Sequence, residues 1–143
     1  MLRIRNEELV EVITFLESFE LTPKISRVRT KLVKLIRTKI DELYKDEVDL
    51  LQRFGKKDEE GNLVQDNGNF SLLPETAAEY HKEKTDLLNE VSVIDVAELH
   101  DKLPLLIGGL EDSEVTVSGK EAETLELILE LLEIEIGCNY NYL

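Results

Sequence analysis

Five basic side chains near the start of the sequence have the spacing needed to bind a polyanion. Successive members are separated by three, four, three and three residues, so in a helix they lie on one face. Such a row can follow a phosphate backbone or an acidic protein surface, and it can equally be a solvated face. The sequence alone does not distinguish between these interpretations. The basic stripe consists of Lys24, Arg27, Lys31, Lys34 and Arg37.

The charge of the chain is divided unevenly along its length. The net charge is −14, but residues 1–57 hold 13 basic and 10 acidic side chains, whereas residues 58–143 hold 4 and 21. The acidic half could mimic a nucleic acid, or its last predicted helix could match the basic stripe inside the protein. The overall acidity argues against general adhesion to DNA or anionic lipid. The acidic row of that helix is Glu123, Glu126, Glu130 and Glu133.

Residues suited to catalysis or metal binding are few and scattered. The histidines His81 and His100 have no partner at catalytic or metal-ligand spacing, and each is interpreted as a surface residue. Cys138 is interpreted as a small hydrophobe. The acidic run at 58–62 does not fit a calcium loop, because position 6 is Leu63 and position 12 is Asn69. We therefore expect no enzymatic activity, no metal and no cofactor.

Apolar spacing and capping residues predict the elements that position the stripe. Helices are predicted at 6–20, where Asn6 is the N-cap, at 23–54 and at 74–90, the last two each beginning at a proline. A fourth is predicted at 118–136, behind a capping box of Ser118 and Glu121. The segment 55–73 is predicted as a turn or hairpin, since Asn67-Gly68 favours a type I′ turn, although an open polar loop is nearly as well supported.

The remaining segments complete a mainly α fold with minor β. Residues 91–117 are predicted as short strands and loops: 91–94 and 114–117 alternate like strands, while Pro104 and Gly108-Gly109 interrupt the apolar run between them. The tail at 138–143 is interpreted as frayed or as a docking strand. The long helix and the helix at 74–90 should pack as an antiparallel helical hairpin, within a single domain of residues 1–143.

Four short segments carry a resemblance to known sequences, at 4–9 (IRNEEL), 26–30 (SRVRT), 54–61 (FGKKDEEG) and 118–122 (SGKEA). In these segments the chain resembles an uncharacterised family of small phage and prophage proteins from Gram-positive hosts. The resemblance covers most of the chain and implies a phage origin and a late-gene or assembly context. It brings no catalytic residue and no cofactor.

The sequence therefore predicts a non-enzymatic phage protein, a structural or assembly component that acts by protein–protein interaction through the helical hairpin. Its partner would be a phage or host protein or a second copy of the chain. The alternative is a regulator or host-factor antagonist that binds nucleic acid through the basic stripe or mimics it through the acidic half. No apolar run is long enough for a membrane span, so we expect the protein in the host cytoplasm or associated with the virion.

Overall fold

A computed structural model describes the backbone of residues 1–140 and the side chains of residues 1–137. This part of the chain is mainly α-helical with minor β structure, as the sequence predicts. Its α-helices are α1 (Leu9–Glu17), α2 (Pro23–Phe54), α3 (Ala77–Asn89), α4 (Leu103–Glu111) and α5 (Lys120–Tyr140). Its strands are β1 (Leu2–Arg5), β2 (Gln65–Asp66), β3 (Asn69–Phe70) and β4 (Val91–Ile94).

The chain divides into two compact units, of which the first comprises Met1–Ile40 and Val91–Leu143. In it β1 and β4 pair antiparallel, with Leu2 opposite Ile94 and Arg5 opposite Val91. Helices α1, α4 and α5, the strand pair and residues 23–40 of α2 enclose the core. Its most deeply buried large side chains include Leu9, Leu16, Leu32, Ile36, Leu103, Leu106 and Leu132.

The second unit, Asp41–Glu90, contains the rest of α2, the β2–β3 tip and α3. Asn67 and Gly68 have φ angles of 52° and 82°, and the flanking residues pair antiparallel, so the predicted β-hairpin is confirmed. The Phe54 and Tyr80 rings join the end of α2 to α3 edge to face, with centroids 6.3 Å apart. Packing of the two helices along their length, and the single-domain organisation, stay predictions.

Helix α2 begins at Pro23 and ends at Phe54, the bounds that the sequence predicts. The next residue, Gly55, is required for a steric reason. A Cβ on Gly55 would lie 2.5 Å from the Leu51 carbonyl oxygen and 2.6 Å from the Leu63 side chain. The buried backbone at this position therefore has room only for glycine, and Gly55 forms an antiparallel bridge with Leu72.

The start of the chain differs from the prediction of a helix at 6–20. A 3-10 turn at Asn6–Glu8 leads into α1, which ends at Glu17, and strand β1 at residues 2–5 was not predicted. Asn6 does not cap the helix. It is 8% exposed, and its Oδ1 accepts a hydrogen bond of 2.5 Å from the Ser92 hydroxyl, so it connects the turn after β1 to β4.

The later part of the chain also differs from the prediction. A 3-10 helix at Ala97–Lys102 leads into α4, because Pro104 lies in the first turn, where its missing N–H costs no hydrogen bond. Residues 114–117 form no strand; most are exposed, and none pairs with another strand. Helix α5 begins at Lys120 rather than at Ser118, because Gly119 has a left-handed φ of 57°.

Helix α3 begins at Ala77, after a turn at 74–76, and ends at Asn89. At the other end of the chain, α5 continues to Tyr140, beyond the predicted end at 136. The interpretations of the Cys138 side chain and of the 141–143 end of the tail concern positions outside the described residues.

Candidate interaction surfaces

The two ends of the basic stripe lie in different environments on α2. At its far end Arg37 donates a hydrogen bond of 2.7 Å from Nη2 to the Glu17 carboxylate of α1, and both side chains are about half exposed. Lys34 lies beside this pair in a shallow depression. An exposed pair of this kind contributes about 0.2–1 kcal/mol, so it orients α1 and α2 more than it stabilises them.

At its near end the stripe forms a cleft of about 310 Å³, which we call the cationic cleft. Helix α2 contributes three exposed cations, and Lys102 from the start of α4 provides a fourth. Among the described residues, none of these cations makes an ion pair. No acidic side chain lines the cleft, so it favours an anionic group. Its lining residues are Lys24, Arg27, Val28, Lys31, Lys102 and Leu105.

Arg29, which lies between members of the stripe, has a structural role. Its Nη1 donates hydrogen bonds to the carbonyl oxygens of Leu16 and Phe19, where α1 ends, and its Nη2 donates to the Ser26 hydroxyl. A cation there adds a charged donor to carbonyls at the end of the helix and complements the negative end of the helix dipole. Arg29 therefore connects the start of α2 to the end of α1.

The acidic row of α5 borders an uncovered apolar surface, which we call the acidic face. Glu126, Glu130 and Glu133 are exposed and make no ion pair within the described part of the chain, whereas Glu123 lies 3.9 Å from Lys120. No ion pair joins α5 to the basic stripe among those residues, so the two rows do not neutralise each other in one molecule. The acidic face consists of Ala122, Leu125, Glu126, Leu129, Glu130 and Glu133.

The second unit carries an apolar stripe on α2 that is only partly covered. Tyr44, Val48 and Leu51 are spaced by four and three residues and therefore lie on one face. Tyr44 is 67% exposed, and the other two side chains are half-buried. We call this stripe the hairpin surface.

Another cleft of the first unit, about 860 Å³, is open and has an apolar floor. Leu21, Ile25 and Leu105 form that floor, and the polar groups at its rim are Ser18, Glu20, Thr22, Asp112, Ser113 and Glu114. Among the described residues, its lining includes no histidine, lysine or cysteine.

The two histidines belong to different units of the chain. His81 is exposed on α3, in the second unit. His100 belongs to the first unit and is half-buried rather than a surface residue; its Nδ1 lies 3.7 Å from Asp101, and its Nε2 is buried without a hydrogen-bond partner among the described residues. In that part of the chain, no group of three His, Cys, Asp or Glu side chains could hold a metal ion.

The acidic run at 58–62 forms a turn. The Asp58 Oδ1 accepts hydrogen bonds of 2.9 Å from the backbone N–H groups of Glu60 and Asn62. Gly61 has a φ of 84°, which closes the turn. The Asp58 carboxylate is thus used within the loop.

Sequence reasoning did not find Lys102 and Leu105, which complete the cationic cleft. The available signal was Lys102 directly before Leu103-Pro104, a position at which a helix can begin. Because Pro104 was interpreted as an interruption, no helix was predicted there, and Lys102 was not placed beside the basic stripe.

None of the helices in the described residues is long and apolar enough to cross a membrane. A protein family described as "Protein of unknown function (DUF1617)" matches residues 1–136. Neither a curated protein nor a solved structure matches the chain significantly.

Proposed function

The chain belongs to the DUF1617 family, and we propose that it is a non-enzymatic structural or assembly component that binds another protein through the helical hairpin of α2 and α3. We propose that the partner binds at the hairpin surface. The partner is a second protein or a second copy of the chain.

The observation that supports this proposal is the small buried core of the second unit. Of the 23 buried apolar side chains in the described residues, only Leu43, Phe54 and Tyr80 belong to its 50 residues. The hairpin surface and other apolar side chains, such as Leu87 and Leu88, stay half-buried or exposed. Covering such a surface with a partner removes apolar area from water, at about 25 cal/mol per Å².

The setting that we propose is a phage or prophage, acting in the host cytoplasm or on the virion. The support is the resemblance of the segments at 4–9, 26–30, 54–61 and 118–122 to small phage proteins. Assembly proteins act by forming contacts rather than by catalysis, which agrees with the scattered positions of the two histidines.

A charge on the hairpin surface tests the proposal. Tyr44→Glu places a carboxylate where a partner would cover the tyrosine, and the 67% exposure of Tyr44 means that the fold should tolerate the change. We expect at least a tenfold loss of the protein that co-purifies with the tagged chain from its native host, which corresponds to about 1.4 kcal/mol.

The matched control is Arg53→Gln, which changes the net charge by the same −1 at an exposed position on the opposite face of α2, nine residues from Tyr44. It should leave co-purification unchanged. Equal recovery of the partner with Tyr44→Glu and with the wild type would exclude the hairpin surface as the contact.

A second candidate function is nucleic-acid binding through the cationic cleft, favoured by its four cations without ion pairs. In that case a short DNA duplex binds at low salt, and the affinity falls steeply as the salt concentration rises. Arg27→Glu with Lys31→Glu should then abolish binding. Binding that is independent of salt would exclude this function.

A further inference from the structure

Two surfaces of the first unit carry opposite charges that are not neutralised within one molecule. The cationic cleft presents Lys24, Arg27 and Lys31 on α2, together with Lys102. The acidic face presents Glu126, Glu130 and Glu133 on α5. None of these seven side chains makes an ion pair among the described residues. Each surface therefore has its charges available for a partner.

The spacing of the two rows matches when the helices run antiparallel. From Lys24 to Lys31 the steps are three and then four residues; from Glu133 back to Glu126 they are also three and then four. At 1.5 Å per residue, both rows take steps of about 4.5 and 6 Å. Antiparallel docking thus places Lys24 by Glu133, Arg27 by Glu130 and Lys31 by Glu126, whereas parallel docking puts the middle pair out of register.

Both surfaces also offer apolar area between the charges. In the cationic cleft that area comes from Leu105, which is 39% exposed, whereas Val28 is buried beneath the cations. On the acidic face Leu125 and Leu129 are half-buried, on a helix that packs against other elements with different residues such as Ile128 and Leu132. An apolar centre bordered by charged residues is typical of protein interfaces.

From this match we propose that the chain self-associates head to tail, with the acidic face of one copy docked in the cationic cleft of the next. The contact is heterologous, so every bound copy still offers one free cleft and one free acidic face. Association therefore continues past the dimer, into a ring or a filament. This inference goes beyond the proposed function, because it uses surfaces of the first unit and not the hairpin surface.

A second copy fits the cleft better than a nucleic acid does. A phosphate backbone would use the cations but not the exposed Leu105 side chain, and the net charge of −14 repels polyanions at long range. The same net charge also opposes self-association. We therefore expect contacts in the micromolar range or weaker, which weaken further as salt screens the ion pairs.

Two variants, each lacking one surface, test the proposal by sedimentation velocity over a range of concentrations. Arg27→Gln with Lys31→Gln removes charge from the cleft, and Glu126→Gln with Glu130→Gln removes charge from the acidic face; all four residues are exposed. We expect the wild type to form species larger than a dimer. Each variant alone should lose association by about tenfold or more, because two ion pairs are removed.

Mixing the two variants gives the decisive result. Each retains the surface that the other lacks, so a 1:1 mixture should form a heterodimer that grows no further. The controls, Lys56→Gln with Lys57→Gln and Glu59→Gln with Glu60→Gln, change the net charge equally at exposed positions of the tip and should associate like the wild type. Circular dichroism of each variant verifies that it is folded.

The proposal is overturned if the wild type stays monomeric at every concentration, if the two variants associate like the wild type, or if their mixture forms no heterodimer. It is also overturned if the wild type binds a DNA duplex through Arg27 and Lys31 without self-associating. Tyr44→Glu should leave this association intact, so failure of the hairpin surface and failure of this contact are distinguishable.

Discussion

Three arginines of α2 have three different roles that follow from their neighbours. Arg27 lies in the cationic cleft, Arg29 donates hydrogen bonds to the end of α1, and Arg37 pairs with Glu17. Arg29 is half-buried and the other two are exposed. At the residue scale, the role of a cation is thus determined by whether a carbonyl, a carboxylate or only solvent lies beside it.

Replacement of Arg29 should destabilise the fold, whereas replacement of Arg27 should not. Arg29→Gln removes charged hydrogen bonds from the Leu16 and Phe19 carbonyls and should lower the free energy of unfolding by about 1–2 kcal/mol. Arg27→Gln is the matched control and should change it by less than about 0.5 kcal/mol. Urea unfolding measures the free energy of unfolding of both variants. Equal effects would contradict the role of Arg29 in connecting α2 to the end of α1.

At the scale of elements, the close approach of α4 to α2 depends on one glycine. A Cβ at Gly109 would lie 2.8 Å from the Ile25 Cγ2 and 3.1 Å from its Cδ1, whereas a Cβ at Gly108 would meet nothing within 4 Å. This approach brings Lys102 and Leu105 next to the basic stripe. The geometry of the cationic cleft therefore depends on Gly109.

Substituting each glycine by alanine separates packing from helix propensity. Gly109→Ala should lower the free energy of unfolding by about 1–3 kcal/mol, because Ile25 must move. Gly108→Ala should raise it by about 0.5–1 kcal/mol, since alanine favours the helix. Thermal or urea unfolding measures both values. A stabilising Gly109→Ala would show that α4 does not contact α2 so closely.

Elements with strong local signals were predictable from the sequence, and those that depend on distant partners were not. Pro23 and Gly55 bracket α2, and Asn67-Gly68 specifies its own turn. Strand β1 was missed because it needs β4, almost 90 residues away, and Asn6 was interpreted as a cap because its partner, Ser92, is equally distant. The five stripe residues were identified from spacing, but the unpaired state of four of them depends on tertiary structure.

At the scale of the whole molecule, apolar burial is concentrated in the first unit. It holds 20 of the 23 buried apolar side chains in the described residues, and the second unit holds three. Regions with few buried apolar side chains open at lower free energy than the core does. We therefore expect the second unit to open more readily than the first unit in the isolated chain.

Hydrogen exchange of the isolated chain should reflect this division. Amides at 41–54 of α2 should exchange at least tenfold faster than those at 28–36 of the same helix, where Val28, Leu32 and Ile36 are buried. Mass spectrometry of peptides from the two segments measures the ratio. Equal protection of both segments would contradict a weakly stabilised second unit.

Binding through the hairpin surface is the central claim, and site-specific photo-crosslinking in the native host tests it most directly. A benzophenone amino acid at position 44 would lie on the proposed contact, and the same group at position 46, exposed on the opposite face of α2, is the control. We predict a discrete covalent adduct of the chain with one partner protein from position 44 and not from position 46. No adduct from position 44, or the same adducts from both positions, would contradict the claim.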